Sequence, residues 1–324
     1  MSFTLSICLL IALGSITTFP AGALTLDLVF LQPGDEVPNS PFPLAAAPPP
    51  NAEQDASLAG AGSFEEVVQS AARTWENAIA DEGTITLYVG WLPFNTFLDP
   101  IVATGGIPLE LDGARLVTGF MGFDSDQRHW FVDPTPDQHE EYTDFQDFFH
   151  DLGGGPVNTG RLLTRPTGEA ADRHDLYSAA LEIIGHLLGV NPAAIPAQDP
   201  TNPPTLTITE PRPLAGTQIP TFFEPFTNIQ LAIPTAATGD WIPAGQRRLI
   251  AAVDVLAIAQ VHDYSAIDLE PQPLAGYRAL TPTAVHQGGL TVSAGRAGGF
   301  LNRRAKPVRQ GAVSWGQIKE NMGD

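Results

Sequence analysis

The chain has 324 residues, of which 43% are apolar and only 16% charged, so it is a folded body rather than a disordered acidic one. Its formal charge of −20 is uneven: residues 1–295 carry 34 Asp/Glu against 10 Lys/Arg, and residues 296–324 carry 6 Lys/Arg against 2 acids. An acidic body excludes nucleic acid and anionic membrane as partners by Coulomb repulsion, and the single cysteine, Cys8, excludes disulfides and cysteine-ligated metal from everything after it.

Residues 1–23 combine an apolar run with Ala21-Gly22-Ala23 and read as a secretory signal peptide cleaved after Ala23, which places the protein outside the cell or in the periplasm. The run is too short to span a bilayer, and no later segment approaches a transmembrane span. Residues 24–62 give a first strand, Leu24–Leu31, and then a Pro/Ala-rich linker. Ser63-Phe64-Glu65-Glu66 is a capping box, and Phe64, Val67, Val68, Ala71, Ala72, Trp75 and Ile79 behind it form one apolar helix face. Thr84–Gly90 and Ala114–Phe123 alternate as strands.

Asp133–Asp151 holds seven acids with His139, His150 and a Phe145/Phe148/Phe149 cluster. It matches neither an EF-hand nor a helical His pair, so calcium is left open, and the stretch reads as a solvated acidic helix face with its aromatics turned inward. A strand is expected over Arg161–Thr164, and residues 191–225, with nine prolines, make a long irregular excursion. Gly245-Gln246-Arg247-Arg248 opens a helix that continues through Leu249, Ala252, Val253, Leu256, Ala257 and Gln260, with Asp254 in a buried hydrogen-bonding role. Residues 271–324 form a Gly/Ala-rich basic tail.

The segment that carries the functional question is Leu176–Val190, apolar nearly all round and capped by Asp175, hence a buried central helix. Glu182 and His186 interrupt it four residues apart on one face, and Ser178 extends that stripe by a turn. Gly185 and Gly189 allow close approach of another segment or end the helix. Such a pair is either a Glu–His hydrogen bond satisfying two buried groups or a pair of metal ligands, and spacing alone favours the first.

Asp175–Val190, DLYSAALEIIGHLLGV, resembles the active-site helix of secreted bacterial metallopeptidases of the metzincin type, DLxxxAxHEIGHxLGx. SFEEVVQSAARTWENAIADEGTITLYVGW, FDSDQRHWFVDPTPDQHEEY, GPVNTGRLLTRPTGEAADRHDL and GQRRLIAAVDVLAIAQVHDYSAIDL resemble flanking segments of that family, so the likeness covers most of residues 63–270. It implies an α+β metzincin-like zincin fold, a twisted mixed sheet packed on a long N-terminal helix and a buried central helix. In the family that helix supplies two His ligands one turn apart and a Glu general base. His186 matches the second His and Gly189 the turn glycine, but Glu182 occupies the first-His slot and Ile183 the catalytic-Glu slot.

The third ligand of the compact family form falls on Pro192; a more distant one falls on PFTNIQLAIP, which offers only Asn228 and Gln230. The methionine under the metal has no counterpart among Met1, Met121 and Met322. Replacing a general base by Ile removes about 10²–10⁴ in rate. The expectation is an exported metallopeptidase-like protein with lost or strongly impaired activity, binding zinc weakly or not at all and holding a peptide or protein in the old cleft. The alternative is an active zinc endopeptidase using Glu182, His186 and a third ligand such as Glu210, 24 residues after His186; a further one is a non-catalytic surface protein.

Overall fold

The computed structural model describes residues 23–36, 45–50, 57–93, 104–113, 115–126, 128–191, 195, 204–223, 229–239 and 242–272. The expected signal peptide up to Gly22 and the basic tail from residue 273 lie outside the described residues.

In chain order the elements are β1 (Leu24–Phe30), β2 (Ser57–Ala59), α1 (Phe64–Ala78), β3 (Gly83–Leu92), β4 (Thr104–Asp112), β5 (Arg115–Asp124) and β6 (His129–Phe131). They continue with β7 (Tyr142–Asp151), β8 (Pro156–Pro166), β9 (His174–Asp175), α2 (Leu176–Leu188), β10 (Thr205–Thr207) and β11 (Gln218–Phe223). β12 (Ile229–Leu231), β13 (Arg247–Leu249) and α3 (Ala252–His262) close the series. The fold is mixed α+β, with several sheets and few helices.

β1, β3, β5 and β4 form a mixed sheet in that order, parallel except for the β4–β5 pair. Parallel neighbours need a crossover, and α1 supplies the one between β1 and β3. Ser63 caps α1 by accepting from the Glu66 N–H at 3.3 Å, while its hydroxyl donates to the Glu65 carboxylate. Val67, Val68, Ala71, Ala72 and Trp75 are all buried, as their spacing requires. The Trp75 indole donates to the Leu181 carbonyl at 3.0 Å and Thr74 meets the Tyr177 hydroxyl at 2.8 Å, which fixes α1 against α2. Burial on all sides of α2 follows, since α1, the main sheet, β13 and α3 all pack on it.

Two expected helical features are strands. Tyr142–Asp151 is β7, paired antiparallel with β8, and its acids are neutralised across the hairpin: Asp147 by Arg161 at 3.3 Å and Asp144 by Arg165 at 3.0 Å. Only Phe145 of the three phenylalanines is fully buried, because a strand cannot turn all three inward. Gly245–Arg248 does not open a helix either. Arg247–Leu249 pairs with Arg161–Leu163 as β13, and α3 starts at Ala252, capped by Asp254 accepting from the Ala251 N–H. The expected linker also holds structure: β2 runs parallel to β6, which in turn pairs with β9. Among the described residues no helix is long and apolar enough to cross a membrane.

Candidate functional site

α2 begins where Asp175 accepts from the Ser178 N–H at 2.9 Å and from its hydroxyl at 2.6 Å. The Ser178 hydroxyl oxygen in turn accepts from the Arg248 N–H at 2.8 Å, tying the stripe to β13. The helix stops at Gly189, whose N–H reaches the Gly185 and His186 carbonyls. Gly185 is needed for close approach: a Cβ there would stand 2.3 Å from Thr238 Cγ2 and 2.9 Å from Trp75 Cζ2.

Glu182 and His186 share one face, with side chains 16% and 7% exposed. His186 Nδ1 lies 2.7 Å from the Val190 carbonyl, an acceptor, so Nδ1 carries a hydrogen. Nε2 is 3.9 Å from Glu182 Oε1, beyond hydrogen-bond length. The nearer neighbour is Gln230 on β12. With the orientation its surroundings require, its amide nitrogen turns two hydrogens toward three acceptors, His186 Nε2 at 3.1 Å, the Thr238 carbonyl at 3.2 Å and the Gly239 carbonyl. Burial alone would lower the imidazole pKa; the Glu182 carboxylate, the Val190 carbonyl and the charge of Asp254 outweigh it, and the net shift is upward.

Behind this pair lies Asp254, fully buried in α3 as a hydrogen-bond acceptor. It takes the N–H groups of Ala237, Thr238 and Ala251 at 3.1, 2.9 and 2.9 Å and the Thr238 hydroxyl at 2.7 Å. Asp254 therefore pins the turn that presents Thr238 to Gly185 and brings Gln230 to His186.

The other residues singled out from sequence fall elsewhere. Ile183, which the family resemblance would put in the slot of a general base, is 2% exposed. A Cβ built on Gly106 of β4 would stand 3.1 Å from Ile183 Cγ2 and 3.0 Å from Leu187 Cγ, so this slot is a packed apolar contact. Glu210 is exposed and does not join the pair; among the described residues no three His, Cys, Asp or Glu side chains converge as a metal group. Pro192 and Asn228 lie outside the described residues. His262 packs beside Gly189, and Met121 is in the sheet core. A catalytic zinc needs three protein donors and an open position. One imidazole, one carboxylate and a carboxamide already committed to backbone carbonyls do not fit that requirement.

A second polar centre was not apparent from sequence. Arg247, fully buried, contacts Asp133 at 2.6 Å and Asp175 at 2.7 and 3.0 Å. It also donates to the Gln138 carbonyl at 3.1 Å and to His139 Nδ1 at 3.0 Å, with the Tyr142 and Tyr177 rings alongside at 5.0 and 5.4 Å. The buried acid that opens the acidic stretch thus serves an arginine. The signals were an Arg pair entering an apolar run and an N-cap Asp on a buried helix, but only the fold joins them. No family model, curated protein or solved structure matches the chain.

Proposed function

We propose that this is an exported protein of metzincin-like fold whose peptidase chemistry has been lost and whose former cleft holds a peptide or protein partner. The reading rests on the family resemblance of residues 63–270 together with one geometric observation. At the helix face where a peptidase needs a metal and a base, His186 Nε2 meets the Gln230 amide, and Ile183 is packed onto β4. An apolar side chain in that slot can neither take a proton from water nor release one to a leaving amine.

The test is metal content and casein hydrolysis of the purified chain starting at Leu24, alongside His186→Ala. The expected result is no stoichiometric zinc and no chelator-sensitive cleavage above the His186→Ala background. Stoichiometric zinc with cleavage abolished by chelator and by His186→Ala would instead establish the active peptidase. Export is tested separately by N-terminal sequencing of the protein recovered outside the cytoplasm, with Leu24 as the expected first residue.

A further inference from the structure

We infer that Arg173 and His129, joined through Ser57, form a binding site for one carboxylate group. The inference goes beyond the peptidase question, because it uses none of the residues on the Glu182–His186 face. β2, β6 and β9 run parallel, and their register sets Ser57 level with His129 and His129 level with Arg173, the residue before β9. Ser57 Oγ lies 2.7 Å from His129 Nδ1 and accepts from Arg173 Nη1 at 2.9 Å. Guanidinium and imidazole are thus anchored on one oxygen. Ser57 is buried, Arg173 half-buried and His129 exposed, so the row is seated in the body and opens to solvent through the imidazole.

The donors and acceptors of this row fix its polarity. Arginine has only donors, so the Ser57 oxygen must accept from it. The buried Ser57 hydrogen then has His129 Nδ1 as its acceptor, and turning it elsewhere would strand a hydroxyl in the interior. A neutral ring that accepts at Nδ1 carries its hydrogen on Nε2, and a protonated ring carries one there too. The row therefore offers N–H groups to a ligand: His129 Nε2–H and the guanidinium hydrogens that Ser57 does not take. Donors gathered without an acceptor among them fit an anion.

Charge points the same way. Arg73, Arg161, Arg165, Arg212 and Arg247 each meet an aspartate. Arg173 makes no ion pair among the described residues, although the chain holds 36 Asp/Glu against 16 Lys/Arg; its bond is to a hydroxyl. The field around the small sheet is positive: burial first, then the charges of Arg128 and His129, hold the neighbouring His174 down at about 4. Asp124 offsets the Arg128 charge. A carboxylate presents two coplanar oxygens to the arginine fork. It also brings one negative charge toward an acidic body, where a phosphate brings up to about two.

The test is NMR on the full chain at fixed ionic strength in sodium chloride, reading the His129 ring nitrogens and the Arg173 side-chain N–H. Without ligand, the neutral His129 ring is expected to be the Nε2–H tautomer. N-acetylglycine and acetate should move both sets of resonances saturably in the millimolar range. The neutral N-acetylglycinamide should not, and inorganic phosphate should bind no more tightly than the carboxylates. Tighter binding of N-acetylglycine assigns the site to peptide termini; equal or tighter binding of acetate assigns it to small carboxylic acids. Arg173→Met should weaken binding at least about tenfold. Arg173→Lys, which keeps the charge without the fork, should fall between, with far-UV circular dichroism confirming that both variants fold. The proposal is overturned by an Nδ1–H tautomer, by no saturable shift in wild type, or by an equal response to the amide. Tighter binding of phosphate, or a folded Arg173→Met with undiminished affinity, overturns it as well. The wild-type titrations decide the matter even where a variant does not fold.

Discussion

Arg247 and Asp175 meet fork to fork, with Nε 3.0 Å from one carboxylate oxygen and Nη2 2.7 Å from the other. The same carboxylate caps α2 through the Ser178 N–H, so one buried side chain both starts the central helix and anchors β13 to it. Asp133 brings a second carboxylate to the same Nη2, 2.6 Å away. Burial works against the charged arginine, but the two carboxylates more than offset it and hold its pKa well above the ordinary value.

Removing that cation would strand two carboxylates in the core. Arg247→Met is therefore expected to cost about 3–5 kcal/mol in a urea unfolding experiment. The triple variant with Asp133→Asn and Asp175→Asn should recover part of the loss, because the uncompensated charges go with the arginine. A single variant as stable as wild type would show that the ion triad is dispensable.

Gly185 offers a second test of packing beneath the candidate site. Gly185→Ala pushes a methyl group into Thr238 Cγ2 at 2.3 Å and Trp75 Cζ2 at 2.9 Å, an overpacking that costs about 1–3 kcal/mol. Thr238→Ser removes the clashing methyl while keeping the hydroxyl on Asp254. The double variant should be more stable than the sum of the singles predicts, by more than about 0.5 kcal/mol. Strict additivity would mean the backbone, not Thr238, absorbs the strain.

Much of this core was readable from the chain because its signals are local. Asp175 followed by an apolar run gave the start of α2, and Val67, Val68, Ala71 and Trp75 gave the buried face of α1. The alternation in β1, β3 and β5 likewise marked strands. β7 misled because Phe145, Phe148 and Phe149 happen to fall at helical spacing, while the partners that neutralise its acids, Arg161 and Arg165, sit on the next strand. β13 is three residues long and leads within three residues into α3, too short to interrupt a helical pattern. Within the site, Glu182 and His186 were legible as a pair. Gln230, 44 positions beyond His186, entered only as the residue type found where a distant ligand would fall. That Asp133, Asp175 and Arg247 form one centre depends on strand pairing, which no local window contains.

Asp254 receives four hydrogen bonds and makes none, so both carboxylate oxygens face donors. Asp254→Asn must turn an NH₂ toward two of those donors. The expected loss is about 1–3 kcal/mol in chemical denaturation. Because the turn it holds carries Thr238, the His186 ring resonances should shift as well. A stable variant with unchanged ring signals would separate Asp254 from the candidate site.

Three groups outside that site, each with a large shift, contribute to the pH dependence of stability between about pH 4 and 7. His139, buried and facing the Arg247 cation, is lowered from 6.5 to about 4; His174, buried and beside Arg128, is also lowered to about 4. Each is protonated in the unfolded chain before it is in the folded one, so both remove stability as pH falls from about 6.5 to about 4. Glu141 runs the other way: burial raises its carboxyl from 4.5 to about 7, so its contribution is lost as pH rises across that window. It is partly exposed, and solvent screening makes its share the smaller one. Tm is therefore expected to rise between about pH 4.5 and 6.5, with two histidines opposing one carboxyl. Glu141→Gln should steepen that rise, and His174→Phe, which keeps an aromatic ring against Trp130, should flatten it. A Tm that falls with increasing pH over this range, or a slope that neither substitution changes, would mean that other groups govern the acid limb.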